Sequence, residues 1–192
     1  MKPLCIVIDG CIGAGKSTVL NKLKNEYYVK QEPQEKWTHL KDSYKRQDFS
    51  PEKVFLIQDQ IIDTLVERDI MDGSDKIIER SLESSLIFTK TYSEWGKYDN
   101  FSPIIEKCTR NAQAFHDKFE VITIYLRLPP GQSAKRMQAR DGMCVPYIEE
   151  LQENYDRNFL GKAIVIDATL PPDEVYDEVI RVVKPAFQER GH

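Results

Sequence analysis

Apolar residues along the chain fall into two repeating signatures. Short continuous runs mark buried strands, and stripes with a period near 3.6 mark helices. Runs at Leu4–Asp9, Tyr27-Tyr28-Val29, Lys76-Ile77-Ile78, Val121–Leu126 and Ala163–Asp167 predict strands near residues 4–9, 27–31, 76–79, 121–126 and 163–167. The fourth is the plainest, an unbroken β-branched and apolar stretch expected of a strand buried on both sides. Val19, Leu20 and Leu23 predict a helix over Ser17 to Asn25. Val54, Ile57, Ile61, Ile62 and Leu65 predict another that starts at Ser50-Pro51-Glu52, with proline in its first turn. Further helices are predicted over 82–95, 103–118 and Gln132 to Arg140, through Tyr147, Ile148, Leu151 and Tyr155, and from Pro171 to Val183. Residues 38–50 are polar and weakly patterned, a loop or frayed helix, and 184–192 read as a loose tail.

Strands alternating with helices predict an α/β fold, a five-stranded parallel sheet flanked by helices on both faces. The 192 residues contain no internal repeat or low-complexity linker and fit a single domain over 1–192. With 41% hydrophobic and 30% charged residues the composition is that of a soluble globule, and a net charge of −4 argues against a nucleic-acid partner. Cys5, Cys11, Cys108 and Cys144 are scattered without a C-x-x-C pair, which suggests neither zinc nor a disulfide framework. No apolar run approaches membrane-spanning length and a strand begins by residue 4, so no membrane association and a cytoplasmic location are expected.

The first strand runs into a stretch with its own chemistry. Gly10, Gly15, Lys16 and Ser17 fit G-x-x-x-x-G-K-[ST], with Ile12, Gly13, Ala14 and Thr18 completing the strand, loop and helix that this motif requires. Backbone N–H groups of such a loop cradle phosphate oxygens, the lysine reaches the β/γ-phosphates and the hydroxyl helps hold magnesium. Other features are weaker taken singly. Glu32-Pro33-Gln34-Glu35-Lys36-Trp37 is a carboxylate at a strand end followed by an exposed-looking tryptophan, as suited to a catalytic loop as to a surface turn. Gln58 falls on or beside an apolar helix stripe, where it either bonds nearby backbone or faces a pocket. Glu79-Arg80-Ser81 ends the third strand, placed for phosphate and metal or for a structural ion pair. Arg136 and Arg140 share one helix face, either a solvated surface or a lid that closes over a nucleotide. No N-K-x-D sequence of the GTP-switch kind occurs.

Taken in order, the phosphate loop, Glu32-Pro33…Trp37, Gln58, Glu79-Arg80-Ser81, Ile124-Tyr125-Leu126-Arg127 and Cys144-Val145-Pro146 resemble the deoxynucleoside kinase family, from about residue 4 to 168. The resemblance implies a P-loop kinase fold, ATP and Mg2+ as cofactors, a deoxynucleoside as the small-molecule substrate, and a homodimer joined through helices within 82–118. It implies that Glu32 is the general base for the nucleoside 5′-OH. Arg80 steadies the 5′-oxygen and phosphates, Glu79 positions magnesium or Arg80, and Lys16 and Ser17 keep the roles above. Gln58 pairs with the base edge, Trp37 walls the base, and Arg136 and Arg140 form a lid over about 131–143. Leu65 and Ser85 align with the positions that screen the base. Their apolar and small side chains imply room for a thymine methyl, hence thymidine and deoxycytidine over purines. Tyr44 and Asp141 stand near the expected 3′-hydroxyl contacts. Phe88 is the nearest match to a base-stacking aromatic, although strict register falls on Thr89. The segment between Trp37 and Gln58 and the lid are both shorter than in the insect member of the family. Two rivals share the loop: a thymidylate-type monophosphate kinase, which needs cationic groups where Glu32 and Glu35 stand, and a nucleotide-binding switch without turnover.

Overall fold

The computed structural model describes residues 1–37, 50–142 and 144–191. In chain order the elements are β1 (Leu4–Asp9), α1 (Lys16–Leu23), β2 (Val29–Lys30), a 3-10 turn (Gln34–Trp37), α2 (Pro51–Ile70), β3 (Lys76–Glu79) and α3 (Leu82–Gly96). A second 3-10 turn (Asp99–Phe101) leads into α4 (Ser102–Lys118), β4 (Glu120–Arg127), α5 (Gln132–Asp141), α6 (Ile148–Phe159), β5 (Ile164–Asp167) and α7 (Pro172–Gln188). The five strands form one parallel sheet in the order β2-β3-β1-β4-β5, as the α/β pattern predicts.

Alternation along β1 divides the core. Leu4, Ile6 and Ile8 face α1 and α7, packing with Val19, Leu20, Leu23, Val179 and Val183. Cys5 and Val7 face the opposite layer, where Ile57, Ile62 and Leu65 of α2 meet Leu82, Cys108 and Phe115. Each fully buried aliphatic side chain contributes roughly 1.5–3 kcal/mol, so β1, buried along its whole length, is a major anchor of both layers. Register then fixes the functional edge. Ile8 is level with Glu79 and Lys30 with Ile78, so β1, β3 and β2 end side by side.

The carboxyl end of α2 is tied to the sheet and to the end of α4 by lysines. Lys76 Nζ donates to the carbonyls of Asp69 and Asp72, each at 2.8 Å, Lys30 Nζ to that of Arg68 at 3.3 Å, and Lys118 to that of Ile70. These satisfy carbonyls that a helix terminus leaves unpaired and place positive charge at its negative pole.

Two element boundaries and the burial of one strand differ from expectation. β2 is a two-residue edge strand rather than 27–31, with Tyr28 half exposed. β4 is fully buried only over Ile124, Tyr125 and Leu126, since Val121, Ile122 and Thr123 are half-buried. The segment expected as a loose tail is largely ordered: α7 continues past Val183 to Gln188, with Pro185 inside it. Phe187 is buried and packs on Tyr27 with ring centroids 5.1 Å apart.

Candidate active site

The phosphate loop leaves β1 in a conformation only glycine supplies easily. Gly10 has φ 149°, and a β-carbon there would stand 2.6 Å from the carbonyl of Leu126 on β4, so backbone, not a side chain, fills the gap. Asp9, fully buried, fixes the turn: its Oδ1 accepts the Gly10 N–H at 2.8 Å and its Oδ2 accepts the Ser84 hydroxyl. Burial pushes the Asp9 carboxyl above its ordinary range, against the pull of Ser84, Lys16 and Arg80. Lys16 is buried, donating to the carbonyls of Gly10 at 2.7 Å and Cys11 at 3.1 Å. Burial, reinforced by Arg80, pulls its pKa down to about 8 despite Glu32, Glu79 and Asp9 nearby.

Gly15 caps α1 in a left-handed turn, and Ser17 and Thr18 stand exposed at the start of the helix. Beside them a cavity of about 440 Å³ is lined by Ala14, Gly15, Thr18, Arg136, Thr169 and Pro171. Arg136, expected as a lid residue, is docked on this loop, its guanidinium donating to the carbonyls of Gly13 at 3.0 Å and Ala168 at 2.9 Å. Arg140 is more exposed and forms a two-pronged pair with Asp141, at 2.8 and 2.6 Å. Ile12 packs half-buried against the cluster that holds Cys11 and Met137.

The other half of the site comes from β2 and β3. Arg80 adopts φ 52°, a left-handed conformation that costs a non-glycine residue on the order of 1 kcal/mol. The turn is held at three points: Arg80 N–H donates to the Ile8 carbonyl at 3.1 Å, and Arg68 donates to the carbonyls of Glu79 and Arg80, each at 2.7 Å. Ser81 then caps α3, its Oγ accepting the Glu83 N–H at 3.2 Å. So directed, Arg80 Nη1 donates to Glu32 Oε1 at 2.8 Å, with both side chains largely buried. Arg80 Nε is buried without a partner among the described residues. Burial alone would raise the Glu32 carboxyl, but Arg80 and Lys16 outweigh it and hold the group below its ordinary range. Glu79 joins the halves, one oxygen accepting from Ser17 Oγ at 3.1 Å and the other from the Glu32 N–H at 3.3 Å. A hydroxyl and a carboxylate oxygen this close fit magnesium, which takes few protein oxygens when phosphates and water supply the rest.

On the α2–α3 side, Gln58 is buried with Oε1 3.5 Å from Thr89 Oγ1, whose hydroxyl donates at 2.8 Å to the Ser85 carbonyl. Ser85 is itself buried on α3, one turn before Thr89. Phe88 lies beneath Arg80, guanidinium carbon to ring centroid 5.3 Å, and meets Tyr155 edge-on at 6.1 Å. Trp37 is not exposed as its sequence setting suggests: only 7% of it is accessible, and its Nε1 donates to Thr64 Oγ1 at 3.2 Å. Leu65 is buried in the same cluster. Tyr44 lies outside the described residues.

Glu32, Glu79, Arg80 and Ser17 thus form one hydrogen-bonded group, with Lys16 coupled to it electrostatically and Phe88 beneath Arg80. Asp141 pairs with Arg140 at the end of α5. Sequence reasoning missed Asp9, Ser84 and the buried Arg68–Asp69 pair. Asp9, the last residue of a strand and next to Gly10, was the one with a visible signal.

The model of the deoxynucleoside kinase family matches residues 6–179. The chain belongs to that family. Among curated relatives, this deoxynucleoside kinase is 25% identical to the thymidine kinase of Ictalurid herpesvirus 1, over 94% of this chain and 86% of that one. It is 28% identical to a protein of Invertebrate iridescent virus 3 named for an inferred kinase activity, over 93% and 95%. Among solved structures, the deoxyadenosine kinase from M. mycoides with bound dATP superposes with a TM-score of 0.75 at 22% identity, covering 94% of this chain and 99% of that one. The same enzyme with dCMP and a flexible dCDP bound gives 0.73 at 21%, covering 95% and 100%. These structural matches establish the P-loop kinase fold, and family membership makes the chain a kinase enzyme.

Proposed function

We propose that this kinase transfers the γ-phosphoryl group of ATP to the 5′-OH of a deoxynucleoside, preferring thymidine and deoxycytidine over purines. The product is a 5′-monophosphate for nucleotide salvage and DNA synthesis in the cytoplasm. The observation that carries the reading is the Glu32–Arg80 pair at 2.8 Å, joined through Glu79 to the phosphate loop.

ATP phosphates would lie on the loop amides from Ile12 to Thr18, with Lys16 leaving its own loop carbonyls to meet them. The donor base has room in the cavity by Thr18, Arg136 and Thr169. Arg136 and Arg140 screen phosphate charge from the lid. Ser17 and Glu79 would hold Mg2+, which when bound neutralises charge on the transferring phosphoryl group. Glu32 stays ionised at neutral pH although buried, because Arg80 and Lys16 offset the effect of burial. It orients the 5′-OH and accepts its proton late, which suffices in a loose phosphoryl transfer. Arg80, whose Nε has no partner among the described residues, steadies the attacking oxygen and phosphate.

On the acceptor side Gln58 pairs with the base edge, Phe88 stacks, and Trp37 and Leu65 back the wall. Leu65 and Ser85 place no charge against the base, which suits a 5-methylpyrimidine. Tyr44 and Asp141 are proposed for the 3′-hydroxyl, and a homodimer through α3 and α4 is the proposed assembly.

Steady-state kinetics with ATP and Mg2+ on the four deoxynucleosides and thymidylate test this reading. The expectation is 5′-monophosphate formation with kcat/KM highest for thymidine or deoxycytidine. Glu32→Gln should lower kcat by on the order of 10²-fold or more with nucleoside binding retained. A tenfold preference for deoxyguanosine over thymidine, about 1.4 kcal/mol, contradicts the assignment of Leu65 and Ser85. Turnover of thymidylate alone contradicts the acceptor assignment.

A further inference from the structure

We propose that Arg68 and Asp69, at the end of α2, are positioning residues for the reaction: one guanidinium fork sets the Glu79–Arg80 turn and through it the Arg80 side chain. The proposal rests on the role given to Arg80 above.

Arg68 touches no side chain of the catalytic group through a hydrogen bond. Its Nη1 donates to the Glu79 carbonyl and its Nη2 to the Arg80 carbonyl, each at 2.7 Å. These are the last carbonyl of β3 and the carbonyl of the left-handed residue that follows it. The same guanidinium is fixed from behind by Asp69, Nε to Oδ1 at 2.5 Å and Nη2 to Oδ2 at 3.0 Å. Four directed bonds thus lock one planar group, and side-chain exposure is 7% for Arg68 and 0% for Asp69. The main chain carrying the pair is itself held, because Lys30 and Lys76 bond the carbonyls of Arg68 and Asp69.

A strand can end and hand over to a helix without a left-handed arginine, and the conformation is unfavourable for a side chain with a β-carbon. Its effect here is to turn Arg80 back across the sheet edge to Glu32 while Ser81 caps α3. Two carbonyls converging on one fork favour this turn over an extended one. Lysine cannot replace the fork, since a single ammonium lacks the planar, divergent donors that reach both carbonyls and Asp69 together.

The test is a double-mutant cycle by steady-state kinetics with ATP and the nucleoside that the panel above identifies. Arg68→Lys should lower kcat by about 10- to 100-fold, as expected of a misplaced reacting group, with KM for ATP changed by no more than about threefold because the phosphate loop is untouched. In an Arg80→Ala background the same substitution should cost far less, because the fork acts on the reaction mainly through Arg80 and the lysine keeps the positive charge that helps hold the Glu32 carboxyl down. Asp69→Asn, which keeps the shape but weakens the fork's anchor, should shift kcat in the same direction by less, and it carries the test if Arg68→Lys fails to accumulate as folded protein. An unchanged kcat in both variants, or a loss that persists undiminished without the Arg80 side chain, overturns the proposal and leaves the pair a structural brace. If Arg80→Ala alone leaves kcat unchanged, the role of Arg80 fails first and the positioning proposal falls with it.

Discussion

Lys16 has exchanged most of its water for two carbonyls of its own loop, at 2.7 and 3.1 Å. With its pKa pulled down to about 8, close to half of the free protein carries a neutral lysine there at that pH. A triphosphate arriving on the loop favours the ammonium form, so ATP binding near pH 8 should take up about half a proton, and affinity should weaken as pH rises through that value. Isothermal titration calorimetry at pH 8 in two buffers of unequal ionisation enthalpy measures this directly. Lys16→Arg, whose guanidinium stays charged, should abolish the uptake, and a wild-type protein that takes up none refutes the depressed pKa. The phosphate loop was legible residue by residue because its chemistry is compressed into consecutive positions. Asp9 and Arg68 were not: one depends on Ser84, 75 residues away, and the other binds backbone carbonyls, which leave no mark in a sequence.

Among the elements, the one whose end resisted reading is α7. Pro185 removes an amide donor and crowds the preceding turn, so a proline there normally predicts a helix end. The helix nevertheless continues to Gln188, the Glu189 N–H donating to the Pro185 carbonyl at 3.0 Å. What offsets the proline is tertiary: Phe187 is 6% exposed, packed on Tyr27 beside Leu20 and Val183. Removing that ring should lay bare the cost of the proline. Phe187→Ala is expected to lower unfolding free energy by about 3 kcal/mol in urea titration, with KM for ATP unchanged, since Phe187 does not line the cavity at Thr18. A loss under about 1 kcal/mol would mean that the last turn holds without the packing. The central strands were legible because each carries a run of apolar residues at its buried middle. The edge strand β2 was misjudged in length because only half its run finds a neighbour to pair with.

At the scale of the whole molecule, strand order decides where the two proposed ligands meet, and nothing in five apolar runs fixes that order. With β1 between β3 and β4, the phosphate loop emerges next to the end of β3, and the cavity beside α1 and α7 opens on one side of it. Gln58, Thr89 and Phe88 lie on the α2–α3 side, and Lys16, Ser17, Glu79 and Arg80 occupy the seam between. On the proposed assignment, a donor and an acceptor bound on the two sides point their phosphate and 5′-oxygen ends at one another. A single molecule with adenosine and thymidine at opposite ends of a polyphosphate should then occupy both sides at once. The second contact becomes intramolecular, so affinity should exceed that for ATP by on the order of 10²-fold, provided the polyphosphate spans the seam. Lys16→Ala should remove most of the gain by cutting the shared middle, whereas Gln58→Leu should reduce it to about the affinity of ATP by losing only the thymidine end. Equilibrium competition against a fluorescent ATP analogue, over a series of polyphosphate lengths, reads these outcomes. Affinity that never rises above that of ATP at any length would mean that the α2–α3 side around Gln58 is not the acceptor site, whatever the fold.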